Sequence, residues 1–311
     1  MLVTTDMMIE RVHFDLHFIT PYQLGFKLIS VNVSDIYAMG GQPAYVLLNI
    51  ALTRGSEADF VDGLFDGIRD ALKTYRTVLI GGDLSASKKD LSLSATLIGY
   101  AKQPILRAGA KVGDRIYVTG SLGDSACGLE LLKKMNRPIV LQQKPQGVKP
   151  GDGRRKTETI SENSIPEIRS QISLKGLSWK AVAPLLKRHL MPLARNPKLY
   201  TGSSSAMIDI SDGLLIDLTR LCNESKVGAR IYEKNIPVSG RMKKAASSLG
   251  LSPLRLALTG GEDYELLFTA APEKKVRAIY IGDVVKSGRT IVDSEGRERP
   301  FSSEGYQHFK T

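Results

Sequence analysis

Aspartates recur where short apolar runs meet polar residues. Asp6 follows Val3-Thr4-Thr5, Asp35 follows Val31-Asn32-Val33-Ser34, and Asp83 follows Leu79-Ile80-Gly81-Gly82, while Asp209 and Asp212 lie within Ile208-Asp209-Ile210-Ser211-Asp212-Gly213. Each run reads as a strand or buried element that delivers a carboxylate at its end. Carboxylates gathered in one site repel one another unless something positive sits between them. Hard oxygen ligands suit Mg²⁺, which binds a few carboxylates together with substrate phosphates. The pattern therefore points to a metal-dependent enzyme acting on phosphates.

Taken singly, each motif has a plainer alternative. Asp35 could cap a helix. Gly81-Gly82-Asp83 could be a turn after a short strand at 78–80, although glycines also let a backbone approach a phosphate closely. Asp209 and Asp212 would face one side if a helix began there; otherwise they are an N-cap pair for the helix expected at Leu214, which leaves Asp209 unexplained. Gly260-Gly261-Glu262-Asp263-Tyr264-Glu265 is a polar loop feeding an apolar strand, either acidic enough to receive a cationic substrate or merely a solvated turn. His13 lies between Val12 and Phe14 on an alternating stretch, where a histidine is more often an ordinary residue than a ligand. Gly120 to Gly128 lacks the Gly-Lys-Ser/Thr ending of a P-loop and reads as a structural strand–helix turn.

Strands alternating with helices must position these groups. A strand at the start leads into an alternating stretch, Ile9 to Phe18. A helix from Pro21 runs toward Met39 and is broken by Gly40-Gly41-Gln42-Pro43. A buried strand spans 45–52, and Phe60, Leu64, Ile68 and Leu72 make 59–75 an amphipathic helix. Strands follow at 78–80 and 91–100. A second unit has strands near 115–119, 229–232, 265–269, 278–281 and 290–292, and helices at 125–134, 179–190, 214–222 and 240–249. The expectation is an α/β (α+β) protein of two domains, 1–105 and 106–311.

The chain has 311 residues, and its 43 basic and 32 acidic residues give a net charge of +11. The excess is local. Residues 142–178 are rich in Pro, Gly, Lys, Arg and Ser, lack apolar periodicity, and read as a disordered basic loop. Few aromatics accompany these charges, so stacking platforms for nucleic acid are poorly supplied. No run approaches the roughly 20 apolar residues that span a bilayer. The N-terminus carries no signal-peptide pattern, and Cys127 and Cys222 have no metal-type spacing, which together favour a reducing cytoplasm.

The segments, in order, resemble the thiamine-monophosphate kinase family of the aminoimidazole-ribonucleotide synthetase superfamily. They are Val-Thr-Thr-Asp-Met-Met-Ile-Glu-Arg-Val-His-Phe at 3–14, Val-Asn-Val-Ser-Asp-Ile-Tyr-Ala-Met-Gly-Gly at 31–41 and Leu-Ile-Gly-Gly-Asp at 79–83. Leu-Arg-Ala-Gly-Ala-Lys-Val-Gly-Asp at 106–114, Val-Thr-Gly-Ser-Leu-Gly-Asp-Ser-Ala-Cys-Gly-Leu at 118–129, Ile-Asp-Ile-Ser-Asp-Gly-Leu at 208–214, Gly-Gly-Glu-Asp-Tyr-Glu-Leu at 260–266 and Gly-Tyr-Gln-His-Phe at 305–309 complete the set. The resemblance covers most of the chain except 139–180. It implies ATP-dependent phosphorylation of thiamine monophosphate to thiamine diphosphate with several Mg²⁺ ions and no side-chain general base. Residue by residue, Thr4, Thr5, Asp6, Asp35, Asp83, Asp209 and Asp212 match metal-site positions. Gly82, Asp83, Arg107 and Ser211 match ATP-contacting positions, with Tyr75 a further candidate on the adenine side. His13, Glu262 and Tyr306 match positions at the thiamine phosphate. The resemblance also implies that the first domain's sheet pairs across a homodimer.

There are departures from the family. The chain starts after an N-terminal Gly-Asp-Asp segment that the family carries, the basic stretch 139–180 is longer than the family's connection, and 271–281 is shorter, with room for one helix fewer. The alternatives are another ATP-using synthetase of the superfamily, or a degenerate, non-catalytic nucleotide-binding paralogue. Selenophosphate synthetase normally offers a reactive N-terminal Cys or selenocysteine, which this sequence lacks. If 142–178 is a solvated loop, its deletion should leave the melting temperature and ATP affinity nearly unchanged; a large loss of stability in a thermal melt would contradict that reading.

Overall fold

The computed structural model describes residues 1–141 and 177–307. The expected basic loop falls on residues outside this range except for 177 and 178, as do 308–311. The chain opens with β1 (Leu2–Ile9). The alternation expected to reach Phe18 stops at Ile9, because the backbone turns there: the amides of Val12 and His13 both close on the Ile9 carbonyl, at 3.1 and 2.9 Å.

Helix α1 (Pro21–Ala38) starts at a capping box. Thr20 Oγ1 accepts from the Gln23 amide at 3.3 Å, and Gln23 Oε1 accepts from the Thr20 amide at 3.0 Å. Pro21 occupies the first turn, where an N–H has no intrahelical partner anyway. From Gln23 to Ala38 almost every residue is buried. A helix covered on all sides must be an internal element, and α1 packs on a sheet, on α2 (Ala58–Tyr75) and on the second half of the chain.

The sheet is completed by β2 (Gln42–Thr53), β3 (Val78–Ser87) and β4 (Ser92–Tyr100), in the order β1-β4-β2-β3. β2 and β3 are parallel, joined through α2; the other neighbours are antiparallel. β3 is longer than the sequence suggested. Gly81-Gly82-Asp83 lies inside it rather than in a turn after it, and a Cβ on Gly82 would fall 1.9 Å from the Leu48 carbonyl oxygen of β2. One face of the sheet packs on α1. The other carries Val3 and Met7, each 58% exposed, and edge strand β3 is exposed along almost its whole length.

The second unit contains β5 (Arg115–Val118), α3 (Asp124–Met135), α4 (Trp179–Leu190), β6 (Ser204–Asp209), α5 (Leu214–Ser225) and β7 (Gly228–Tyr232). Then come α6 (Gly240–Ser248), α7 (Pro253–Thr259), β8 (Leu266–Ala270), β9 (Ile279–Val285), β10 (Arg289–Val292) and β11 (Glu298–Pro300). Its sheet runs β11-β10-β7-β9-β5-β8-β6, antiparallel except between β7 and β10. The short connection at 271–278 holds turns and no helix. Edge strand β6 rests against α1, so one helix joins the two sheets.

The α1–α2 contact depends on two glycines. A Cβ on Gly25 would meet the Leu64 carbonyl oxygen at 2.1 Å, and one on Gly67 the Tyr22 carbonyl oxygen at 1.9 Å. Backbone cannot yield as a flexible side chain can. Gly67→Ala should therefore cost about 1–3 kcal/mol as overpacking, despite alanine's better helix propensity, as read by urea unfolding; a stabilised variant would contradict this packing.

Candidate active site

Alternation along β1 turns Thr4 and Asp6 toward α1 and Thr5 to the opposite face. Thr4 Oγ1 donates to Asp35 Oδ2 at 2.5 Å, and the Asp6 amide donates to Asn32 Oδ1 at 3.0 Å. Asp35 lies within α1, and its carbonyl accepts the Met39 amide, so it caps no helix. The neighbouring Ser34 Oγ donates to Asp209 Oδ2 at 2.6 Å, joining α1 to the end of β6. Of these aspartates only Asp209 ends its element, since Asp6 lies within β1 and Asp35 within a helix.

These carboxylates share one electrostatic field. Burial, then the charges of Asp35 and Asp212, push Asp6 up to about 7. Burial also raises Asp35, against the Thr4 hydroxyl and the Arg107 guanidinium, which favour its charged form. Asp209 is raised well above the usual range by burial and then by Asp35, against the Ser34 hydroxyl.

The loop bearing Ser211 and Asp212 is shaped by a residue the sequence reading missed. Gly213 is the N-cap of α5, at φ 128°, so Asp209 and Asp212 cap nothing. Asp217, fully buried in the first turn, instead turns back: its Oδ2 accepts the amides of Ser211, Asp212 and Gly213 at 3.1, 3.0 and 3.1 Å. Arg220 Nη1 then ties Asp217 Oδ1, at 2.7 Å, to Asp212 Oδ2, at 2.5 Å. An acidic residue in the first turn of the helix after the Asp cluster was the available signal.

Two further segments fasten to this loop. The Glu262 amide donates to the Ser211 carbonyl at 2.7 Å, the Tyr264 amide to that of Ile210 at 2.9 Å, and the Tyr306 amide to that of Asp212 at 3.0 Å. The stretch 260–265 is not a solvated turn. Glu262 Oε1 lies 2.8 Å from Lys27 Nζ, and Oε2 lies 3.0 Å from the same ammonium and 2.9 Å from His189 Nδ1. Burial alone would raise the Glu262 carboxyl, but Lys27 and His189 hold it well below the usual carboxylate range. Burial and then the Lys27 charge lower His189, against Glu262, which favours its charged form. Buried Asp263 accepts the amides of Gly123 and Ser125 at the start of α3, at 2.5 and 3.2 Å. Buried Glu265 accepts two bonds from Arg195, both at 2.7 Å, and further bonds from Arg188 and Thr119. A cavity of about 590 Å³ beside Arg188, Arg195 and Tyr200 lies behind this buttress, and none of the clustered aspartates lines it.

Some expected site residues stand apart. Thr5 Oγ1 accepts from Thr96 Oγ1 at 3.1 Å on the outer sheet face. Gly82 and Asp83 lie on β3, and Asp83 is exposed opposite Asn49. β3 is three strand spacings from β1, about 14 Å within one chain. Tyr75 is buried: its ring packs against Phe26 and Tyr37, and its hydroxyl donates to Ser30 Oγ and accepts the Ala194 amide, both at 3.0 Å. His13 sits in the turn after β1, where Nδ1 accepts the Ile9 amide at 3.0 Å. Arg107 is exposed, close enough to Asp35 to favour its charge.

Among the described residues no three His, Cys, Asp or Glu side chains form a ready-made metal cage. The donor set nevertheless fits Mg²⁺, which usually takes one or two carboxylates and completes its shell with phosphate oxygens and water. Without a cation the strain has a defined sign. Asp6 titrates near 3.8 when unfolded and near 7 when folded. Its contribution to stability is therefore full below about pH 4, falls as pH rises to about 7, and is constant above. Asp6→Asn should thus be more stable than the parent at about pH 8 in EDTA, by about 1 kcal/mol or more; equal unfolding free energies would show that this carboxylate carries no repulsion.

Comparison with known proteins agrees with the two units. Residues 1–101 match the N-terminal domain of AIR synthase related proteins, and 111–294 match the C-terminal domain. The thiamine-monophosphate kinase of Aquifex aeolicus is 33% identical over 317 residues, covering 99% of this chain and 88% of the relative. That of Salmonella typhimurium is 33% identical over 329 residues, covering 99% and 86%. Among solved structures, AaThiL complexed with AMPPCP and TMP superposes with a TM-score of 0.79 at 32% identity, covering 99% of this chain and 86% of that one. The hydrogenase maturation protein HypE in complex with ATP, at 16% identity and a TM-score of 0.64, shares the fold. Built on the same two domains and matched to these kinases over nearly all of its length, this chain belongs to the thiamine-monophosphate kinase family.

Proposed function

We propose that this protein transfers the terminal phosphoryl group of ATP to thiamine monophosphate, forming thiamine diphosphate. The observation that carries the reading is the convergence on α1 of half-buried Asp6 and Asp35 and buried Asp209, mutually repelling, beside the loop of Asp212. Phosphoryl transfer asks little covalent chemistry of a protein; it asks for charge neutralisation and an in-line arrangement. Asp6, Asp35, Asp209 and Asp212, with Thr4, would hold several Mg²⁺ ions, which when bound neutralise the oxygens of the nucleotide and acceptor phosphates. Arg107, exposed and charged near Asp35, can grip a phosphate bidentately, and Ser211 presents its hydroxyl from the loop that Asp217 fixes. No general base is needed, because the acceptor phosphate is already a nucleophile. Glu262 suits the amino and cationic end of the acceptor, the Tyr306 ring can pack on a flat heterocycle, and His13 can hydrogen-bond to a phosphate or ring atom.

Thr5, Gly82 and Asp83 enter this reading through a second copy. They lie on the open outer face and exposed edge of the first sheet, alongside Val3 and Met7. Face-to-face pairing of two such sheets would cover that apolar surface and bring one copy's β3 toward the other's β1. Both cysteines are buried and free, which suits a reducing cytoplasm, and no helix among the described residues is long and apolar enough to cross a membrane.

Asp35→Asn should reduce thiamine diphosphate formation by about 100-fold or more, the scale on which a transition-state electrostatic contact acts, with the melting temperature preserved. Near-native turnover at limiting Mg²⁺ would contradict the carboxylate site. Glu262→Ala and Tyr306→Ala should raise KM for thiamine monophosphate and leave KM for ATP nearly unchanged, the signature of lost acceptor binding; a change confined to ATP would move these residues to the nucleotide side.

A further inference from the structure

Lys27 is the only charged residue between Pro21 and Ser34, in an otherwise apolar or neutral stretch of α1, and its side chain is 1% exposed. A buried ammonium survives in a folded protein only when paired and hydrogen-bonded. Its partner is Glu262, from the opposite half of the molecule, and both carboxylate oxygens lie within 3.0 Å of Nζ. Glu262 adopts a positive φ of 63°, a conformation non-glycine residues seldom take, and its amide is clamped to Ser211. The backbone is thus fixed from one side, and Lys27 fixes the carboxylate from the other. Seven residues along α1, close to two turns, Ser34 holds Asp209 from the same helix face. The two grips are about 10 Å apart along the axis.

We infer that Lys27 is a positioning residue for acceptor recognition: it holds Glu262 as an aimed carboxylate for the amino or cationic part of the acceptor heterocycle, and α1 sets the distance from that carboxylate to the phosphate-binding aspartates. This rests on the assignment of Glu262 to the acceptor. Lys27 itself touches no substrate. Its effect on the reaction passes through Glu262, with His189 as a second support for the same carboxylate. An interior ion pair that served only to join the halves of the molecule would disturb ATP and acceptor alike. A positioning pair disturbs the acceptor alone.

The test is a double-mutant cycle on the full chain with Lys27→Met, Glu262→Gln and the two combined, varying thiamine monophosphate and ATP separately. Lys27→Met should raise KM for thiamine monophosphate at least tenfold and change KM for ATP less than threefold. The double variant should be no worse than Glu262→Gln alone, within about twofold, because each change removes the same interaction. Multiplying effects, or a parallel rise in KM for ATP, would overturn the role. Lys27→Gln keeps a neutral donor in the same space; if it folds and binds thiamine monophosphate as the parent does, the need for a cation fails. If both lysine variants fail to fold while Glu262→Gln folds and weakens acceptor binding, Lys27 is an interior structural residue and the inference is wrong. If Glu262→Gln leaves acceptor KM unchanged, the acceptor assignment itself fails, separately from anything measured at Lys27.

Discussion

Like charges held together out of water constrain this structure more than any other interaction. Asp209 is buried and Asp6 and Asp35 are half-buried, and each is raised above its ordinary pKa by its loss of water, with neighbouring carboxylates adding to the rise at Asp6 and Asp209. Isolated carboxylates would not persist there. Short hydroxyl contacts from Thr4 and Ser34 offset part of the cost, and protons or cations must supply the rest. Strained titratable groups of this kind concentrate at functional sites. A cation bound here would relieve that strain, as the proposed phosphoryl transfer requires.

Such a cluster needs a rigid frame, and α1 provides it. The helix is buried all round, capped at its start and locked to α2 through Gly25 and Gly67. It delivers Asp35 to Thr4, Ser34 to Asp209 and Lys27 to Glu262, so one helix sets the spacing of three attachments between distant parts of the chain. On the far side, Asp217, Asp263 and Glu265 each satisfy backbone amides or cations belonging to a neighbouring segment. Functional loops are thereby held by residues that need not meet a substrate, an arrangement that fixes geometry without placing more charge in the cleft.

The sequence made the elements legible wherever local chemistry decides them. Pro21 and the spacing of Phe60, Leu64, Ile68 and Leu72 predicted α1 and α2 because a proline at a helix start and apolar periodicity are local signals. The sequence ends the strand at Ile80 and leaves Gly81-Gly82 open to a turn, whereas Gly82 answers a close approach of β2, which only the sheet reveals. The aspartates were recognisable as a set, but which ones meet was not: the period of a strand sends Thr5 to one face and Thr4 and Asp6 to the other. Tyr75 was placed toward a nucleotide, and its core position follows from long-range contacts with α1 and Ala194. Lys27 escaped notice because a buried ammonium is visible in sequence only as a lone charge in an apolar run, with its partner more than 200 residues away, and His189 because nothing local ties it to Glu262.

The central claim is that the buried carboxylates and the nucleotide form one site completed by a divalent cation. It is tested most directly by thermal melting at about pH 8 with Mg²⁺, a non-hydrolysable ATP analogue and thiamine monophosphate, singly and together, since a ligand stabilises the folded state by mass action. The account predicts a small rise with Mg²⁺ alone, a larger rise with Mg²⁺ and the analogue than the sum of each, and a further rise with the acceptor. An analogue shift of equal size in EDTA, or no shift with the complete set, would contradict it.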